Sequence, residues 1–270
     1  MAATRISSKA RACIVFCAWL TASLAQAWEP APETSGREVL QAARRDASEG
    51  RLAEAAEKHL WFHEHVLERE PSMRGVRLSF ALADWVALAR RYPAAMAQLI
   101  AARDRAVARV EDGGLAGGQA LNEVVSFNSR LRDPESTRDA FARLVLRDPV
   151  VAEQAAPQVL PALVELNDIE FASKHLHVDE AVGRIERTYT QLQATSSALP
   201  ANQIEAMKRW QQRHVDIQLA QVVYVLCKDR REAEAEQVVA RGRALLAPDA
   251  PVHHMTEAQR CIAPPNENAG

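Results

Sequence analysis

Helix start signals recur along this 270-residue chain, and they constrain its fold more than any other feature. A Ser, Thr or Asn followed three residues later by Glu or Gln forms a capping box at the start of a helix. Four such pairs mark predicted helix starts: Ser35 with Glu38, Asn167 with Glu170, Asn202 with Glu205, and Thr256 with Gln259. No window shows the sustained alternation of apolar and polar residues that a half-buried strand requires. The chain is therefore predicted to be all-α.

Residues that continue a helix poorly divide the chain into short segments. They are Gly50, Pro71, Pro93, Gly113 and Pro149, and Asp133 before Pro134 adds a further helix start. The pattern predicts helices near residues 36–48, 51–69, 74–91, 94–111, 118–131, 135–147, 151–166, 168–176, 179–195, 203–228, 231–246 and 257–262. Because the connections are short, we expect stacked antiparallel hairpins over residues 28–246. The glycine-rich residues 113–118 are predicted to form a flexible hinge.

The first 27 residues have the pattern of a secretory signal peptide. Three basic residues precede an apolar run over residues 12–20, and residues 25–27 (Ala-Gln-Ala) provide a small-residue cleavage site. The run is too short to cross a bilayer as a stable helix. We therefore expect cleavage before Trp28 and a periplasmic or secreted protein with no stable membrane span.

The charge of the chain argues against one class of partner. The formal net charge is −2, and it becomes −5 without Arg5, Lys9 and Arg11, the only charged residues of the predicted leader. Nucleic acids and anionic membrane surfaces are bound by basic surfaces. We therefore predict no nucleic-acid partner and no binding to anionic membranes.

Only two cysteines follow residue 27, Cys227 and Cys261. In an oxidising compartment such a pair favours a disulfide, and two separately buried thiols are the alternative. The bond would hold the short predicted helix at 257–262 against the long helix at 203–228. Residues 247–270 are predicted to be a C-terminal tail that contains this helix and is disordered from Ala263 onward.

Small and large apolar residues recur at the spacing of helical repeats. Phe141, Leu144 and Pro149 match the second helix of a tetratricopeptide unit, and Ala233 with Ala240 matches its spacing of small residues. Repeats of this kind bury their apolar faces against neighbouring units.

One region resembles a known family. It contains KHLWFHEH at residues 58–65, GVRLSFAL at residues 75–82, then Trp85 and Tyr92-Pro93. In this region the chain is similar to a little-characterised family of bacterial tetratricopeptide-like proteins, most clearly over residues 50–105. The resemblance implies a helical-repeat fold and brings no established activity with it.

Aromatic residues and histidines concentrate between residues 59 and 93. Aromatic side chains and arginine dominate protein-binding hot spots, so we predict Trp61, His63 and Arg77 as binding residues, with Trp61 and Arg77 exposed. Three other aromatic residues fall on apolar stripes and are predicted to be core: Phe62, Phe80 and Trp85. Asn122 and Asn128 are further candidates, as polar lining of a groove with Glu123, and ordinary surface positions are their alternative.

The sequence contains no catalytic motif. It has no G-x-S-x-G, no P-loop and no C-x-x-C. His59 and His63 share a helix face, but two imidazoles need a third ligand to form a metal site, and no metal site or cofactor is predicted.

An export signal, stacked hairpins and no catalytic motif together favour a protein or peptide interaction scaffold of the cell envelope. The alternative is a helical hydrolase, metal-assisted, that uses His59 and His63. A purely structural or oligomer-forming role is a third possibility.

Overall fold

The computed structural model describes residues 28–196, 200–248, 250 and 252–266. In these ranges every regular element is helical, and there is no β-strand. The all-α class predicted from the sequence is confirmed for this part of the chain. None of its helices combines the length and apolar composition that a membrane crossing requires. The predicted signal peptide, residues 1–27, lies outside the described residues.

Short connections join the helices. They are α1 (Gly36–Ser48), α2 (Leu52–Arg69), α3 (Arg74–Leu78), α4 (Phe80–Ala89), α5 (Pro93–Val110), α6 (Gly114–Leu131), α7 (Pro134–Arg147), α8 (Pro149–Glu165), α9 (Ile169–His175), α10 (Val178–Ser196), α11 (Ala201–Lys228), α12 (Glu232–Leu245) and α13 (His253–Ala258), with a 3₁₀ turn at Pro71–Met73. Most bounds lie within two residues of the predicted ones. The exceptions are the segment 74–91, the start of α6 and the position of α13.

Helix α1 begins at the predicted capping box. The Ser35 N–H donates to Glu38 Oε2 at 2.8 Å, and the Glu38 N–H donates to Ser35 Oγ at 3.3 Å. The Gly36 N–H donates to Glu70 Oε1 at 2.6 Å, so a side chain just after α2 also satisfies the start of α1. The two helices are therefore an antiparallel hairpin.

The other predicted starts have mixed outcomes. Asp133 caps α7 as predicted, because its Oδ1 accepts from the Ser136 N–H at 3.0 Å. The remaining three boxes do not cap: Asn167 precedes the N-cap residue of α9, Asn202 lies inside α11, and Thr256 lies inside α13. A capping motif is local, and it has no effect where a helix starts one or more residues away from it.

The segment predicted as one helix at 74–91 is two helices, α3 and α4. Ser79 separates them with φ −116° and ψ −93°, and its Oγ donates to the Gly75 carbonyl at 2.7 Å, in competition with the helical backbone. Phe80 follows this break and is 70% exposed, so its predicted core position is wrong. Phe62 and Trp85 are buried, as predicted.

The glycine-rich segment is the first turn of α6 and not a separate loop. Gly113 and Gly114 have φ of +68° and +53°, which non-glycine residues adopt at a cost, and the Gly114 N–H donates to Asp148 Oδ2 at 2.9 Å. A Cβ on Gly117 would lie 2.9 Å from the Val110 carbonyl oxygen. The structure thus differs from the predicted hinge, because these glycines allow α5 and α6 to approach closely.

The buried apolar residues form three clusters, which we call N-terminal, middle and C-terminal. The N-terminal cluster joins α1, α2 and α4, and the middle cluster joins α2, α4, α5 and α6. The C-terminal cluster is the largest and extends from α5 to α13. Each cluster includes fully or nearly fully buried large side chains, such as Phe62, Trp85 and Phe141 respectively.

Helix α11 organises the C-terminal part, since it packs against α8, α9, α10, α12 and α13. Cys227 at its end forms a disulfide with Cys261, as predicted, with a sulfur–sulfur distance of 2.09 Å. The short helix is α13 at His253–Ala258 and lies before the predicted position at 257–262. Beyond it, Asn266 Nδ2 donates to Glu165 Oε2 on α8 at 2.6 Å.

Candidate binding groove

Arg77 lies at the centre of a buried polar network. Its side chain is predicted to be exposed, yet only 7% of the residue is, so that prediction is wrong. Its Nε donates to the His63 carbonyl at 2.5 Å, and its Nη2 donates to Glu123 Oε2 at 3.0 Å. Arg109 Nη2 donates to the same carboxylate oxygen at 2.7 Å. Helices α2, α3, α5 and α6 are thereby connected through two guanidinium groups and one carboxylate.

His63 is buried and accepts a hydrogen bond from Arg77. Its Nε2 lies 3.1 Å from Arg77 Nη2, and its ring packs against Trp85 and Phe127, with centroids 5.6 and 4.9 Å away. Burial, together with the positive charges of nearby arginines, Arg77 first among them, lowers the pKa of His63 to about 2. The imidazole is therefore neutral at physiological pH, and its proton lies on Nδ1.

His59 is also buried, and burial lowers its pKa to about 4. In the described residues, neither His59 nor His63 belongs to a group of three side chains whose ligand atoms are close enough to share a metal ion. Both imidazoles are thus packed in the N-terminal half, and His63 also accepts a hydrogen bond there.

Trp61 is buried as well, which contradicts its predicted exposure. The residue is 7% exposed, because Trp28 packs edge-on against its ring with centroids 6.1 Å apart. The Arg69 guanidinium lies 5.0 Å from the ring centroid on another side. The sequence does not indicate that Trp28, before the first helix, folds back onto α2.

A wide concavity of about 550 Å³ opens between α3, α6, α8 and α10. Four amide side chains contribute to its lining: Gln119, Asn122, Gln154 and Gln158. Three of the residues considered from the sequence are also in its lining: Asn122, Glu123 and Arg77. Asn128 does not line it, since it is buried and donates through Nδ2 to Thr137 Oγ1 at 3.1 Å.

A second concavity of about 180 Å³ lies between α8, α10 and α11. Pro157 and Pro161 of α8 border it. Because proline has no N–H, the α8 hydrogen-bond ladder is interrupted at these two positions. Gln158 and Arg184 line both concavities, so the two are adjacent. We call them together the binding groove.

The wide part of the binding groove carries excess positive charge. Arg74, Arg77 and Arg184 line it, with Glu123 as the one acidic residue among its described lining side chains. Glu123 is already paired with Arg77 and Arg109. Arg74 has no hydrogen bond or ion pair to any described residue. Arg184 Nη2 donates to the Gln154 carbonyl at 2.7 Å and lies 3.5 Å from Glu180 Oε1 on the same helix. The groove is thus locally basic on an acidic protein.

Most of the residues that line this groove were not predicted from the sequence. Arg184 and the glutamines of α6 and α8 resemble ordinary surface residues of amphipathic helices. They come together only because α10 packs against α11 and Arg184 then reaches the Gln154 carbonyl of α8. The spacing of Pro157 and Pro161, four residues apart within one predicted helix, is the signal that marks this face of α8 as unusual.

Comparison of the chain with protein-family models, with curated proteins and with solved structures finds no match. The geometry of the groove is therefore the basis for a functional assignment.

Proposed function

We propose that this protein is an exported interaction scaffold of the cell envelope that binds an extended polypeptide with acidic side chains in the binding groove. The observation that carries the proposal is the meeting of two concavities at Gln158 and Arg184, with amides and arginines along their walls.

Amide side chains suit an extended peptide. The backbone of such a peptide presents N–H and C=O groups without partners, and an amide can donate to one and accept from the other. Gln158 Oε1 is buried and has no hydrogen-bond partner among the described residues, so a donor from a ligand would satisfy it after a small rotation of the side chain.

The arginines favour an acidic ligand. Arg74 and the exposed part of Arg184 retain N–H donors that can form bidentate contacts with a carboxylate. Acidic side chains on the peptide would neutralise the charge of Arg74, because Glu123 already pairs with Arg77 and Arg109, and Glu180 with Arg184.

A tetratricopeptide-like array is part of the same proposal. Helix α6 packs against α8 as well as α7, and α5 packs against α7 as well as α6, which is the neighbour pattern of stacked hairpins. Stacked hairpins present one helix of each pair on a concave side, and this arrangement would place α6 and α8 along the groove. We propose that the resemblance of residues 50–105 to tetratricopeptide-like proteins reflects the same architecture.

Export is also proposed, from the leader pattern of residues 1–27 and from the Cys227–Cys261 disulfide. The metal-assisted hydrolase alternative has less support. His59 and His63 are buried, and His63 Nε2 is already engaged by Arg77, so neither imidazole is placed to activate a water molecule.

A display selection of random linear peptides tests the proposed function. We expect the purified protein to enrich peptides rich in Asp and Glu, and the Arg74→Glu/Arg184→Glu variant to lose that enrichment. Arg37→Glu, an exposed arginine on α1 outside the groove, is the matched control and should enrich the same peptides. No enrichment by the native protein, or equal enrichment by the groove variant, would contradict the proposal.

A further inference from the structure

Three metal-binding side chains meet on helix α13, away from the residues that line the groove. They are His253, His254 and Glu257, and their ligand atoms all lie within 4.8 Å of one another. Glu257 Oε2 lies 3.3 Å from His253 Nε2 and 3.9 Å from His254 Nδ1. In the described part of the chain this is the one such group of three.

These separations agree with the coordination geometry of zinc. Zinc binds imidazole nitrogen and carboxylate oxygen at about 2.0–2.2 Å, so two ligands of a tetrahedral site are roughly 3.3 Å apart. The His253–Glu257 separation already has this value. His254 Nδ1 has to move closer to the other two ligand atoms, which lie within 4.8 Å of it. Calcium and magnesium prefer sets of oxygen ligands, so two imidazoles in a group of three favour a transition metal.

The backbone that carries these ligands is held in place. The Asp216 carboxylate of α11 accepts from the His254 N–H at 2.9 Å and from the Met255 N–H at 3.1 Å. The Met255 side chain is fully buried, and the Cys227–Cys261 disulfide fixes the chain just beyond α13. Preorganised ligands lose less conformational entropy when a metal binds.

The ring of His254 gives a second, independent indication. Its Nδ1 is buried, and none of the described residues forms a hydrogen bond with it. A buried imidazole nitrogen without a partner is uncommon, because desolvation of a polar atom is costly unless a partner replaces water. A metal ion bound by Nδ1 would be that partner.

We propose that His253 Nε2, His254 Nδ1 and Glu257 Oε2 bind one zinc ion. Three protein ligands leave one tetrahedral position open to water or to a side chain of another molecule, and the exposure of His253 leaves that position accessible. The site is independent of the peptide-binding proposal, since none of its residues lines the groove.

Calorimetric titration of zinc into the purified protein, made without a histidine tag, tests the site. We expect one zinc per chain and a loss of affinity of at least about tenfold in His254→Ala, since even changes around a metal site cost 10–100-fold. His177→Ala is the matched control, because His177 is exposed and has one carboxylate neighbour, Glu153, with 3.9 Å between Nε2 and Oε1. This control should bind zinc as the native protein does.

Glu257→Gln keeps the proposal testable if His254→Ala fails to fold. The partly exposed Glu257 side chain can be replaced by an isosteric amide with little effect on packing, and far-UV circular dichroism checks the helicity of each variant. We expect weaker zinc binding with unchanged helicity. Native-like zinc affinity in a folded Glu257→Gln or His254→Ala variant, or no stoichiometric zinc binding by the native protein, would overturn the proposal.

Discussion

Arg77 is a buried cation whose charge is compensated by a single carboxylate. Its guanidinium contacts the His63 carbonyl, the His63 ring and Glu123, and Arg109 reaches the same carboxylate from a more exposed position. Removal of Arg77 would leave Glu123 with Arg109 as its cation and the His63 carbonyl without this donor. The network is therefore expected to contribute to stability in the N-terminal half.

We predict that Arg77→Ala lowers the free energy of unfolding by about 1–3 kcal/mol, because Glu123 and the His63 carbonyl each lose a hydrogen bond in a mostly buried place. Urea unfolding followed by circular dichroism measures the loss. Arg44→Ala is the matched control: Arg44 pairs with Asp84 on the surface, where an ion pair contributes about 0–1 kcal/mol. Similar losses in the two variants would show that the Arg77 network is not a buried pair in solution.

The buried His63 makes stability depend on pH. Its folded-state pKa of about 2 lies below the usual value of 6.5, so below pH 6.5 the unfolded chain binds a proton that the folded chain does not. The His63 contribution to the free energy of unfolding is fully present above pH 6.5. Below that pH it decreases by roughly 1 kcal/mol per pH unit. We predict that His63→Gln, which retains an acceptor and cannot titrate, has a shallower loss of stability between pH 6.5 and 5.

Chemical denaturation at several pH values in this window measures the slope. His65→Gln is the control, because His65 is two residues away on the same helix and its side chain is 46% exposed. It should retain the native slope. An unchanged slope in His63→Gln would mean that the imidazole is not buried in solution.

Two residues were wrongly expected to be exposed, and these two errors have one cause. Trp61 and Arg77 were expected on the surface because a polar or amphipathic residue usually lies there. Their burial depends on partners far away in sequence, namely Trp28 for Trp61 and Glu123 for Arg77. Helical periodicity placed Phe62 and Trp85 correctly. It failed for Phe80, because the break at Ser79 interrupts the helix on which the stripe was predicted.

At the scale of the element, the start of α6 shows how glycine determines packing. A Cβ on Gly117 would lie 2.9 Å from the Val110 carbonyl oxygen and 3.4 Å from Leu144 Cδ1. The contact with a backbone atom cannot be relieved by a side-chain rotation. We predict that Gly117→Ala destabilises the protein by about 1–3 kcal/mol, as overpacked cores do.

Gly75→Ala is the matched substitution for this prediction. Gly75 lies in α3, and a Cβ there would meet nothing within 4 Å, so alanine should stabilise by up to about 1 kcal/mol through helix propensity. Thermal unfolding of both variants measures the difference. Equal and small effects would show that α5 and α6 separate enough in solution to make room for a methyl group.

Element bounds were mostly predictable, and the exceptions are informative. Proline and the Asp133 cap mark helix ends through purely local chemistry, so these positions agree with the structure. The break at Ser79 and the helical conformation of the glycine-rich segment were not predictable, because each depends on contacts that form only after the helices pack. The groove was not predictable for the same reason, since four helices must assemble before Arg184 and Gln158 come together.

In the whole molecule, the presence of three separate apolar clusters indicates that its two ends can unfold locally and independently of each other. The N-terminal cluster joins α1, α2 and α4, and the C-terminal cluster reaches α13, so few buried side chains connect the two ends. Local unfolding of one end is expected of a stacked array, because each unit is stabilised mainly by its neighbours. A single globular core would instead respond as a whole to any large cavity.

Hydrogen exchange with matched cavity variants distinguishes these cases. Leu40 and Leu219 are both buried, in the N-terminal and C-terminal clusters respectively, and truncation of a buried leucine to alanine costs about 2–5 kcal/mol. We predict that Leu40→Ala accelerates amide exchange in α1 and α2 and leaves α11 to α13 protected, and that Leu219→Ala does the reverse, because local opening is confined to the weakened units. Acceleration across all helices in both variants would contradict the stacked architecture and would favour one cooperative core.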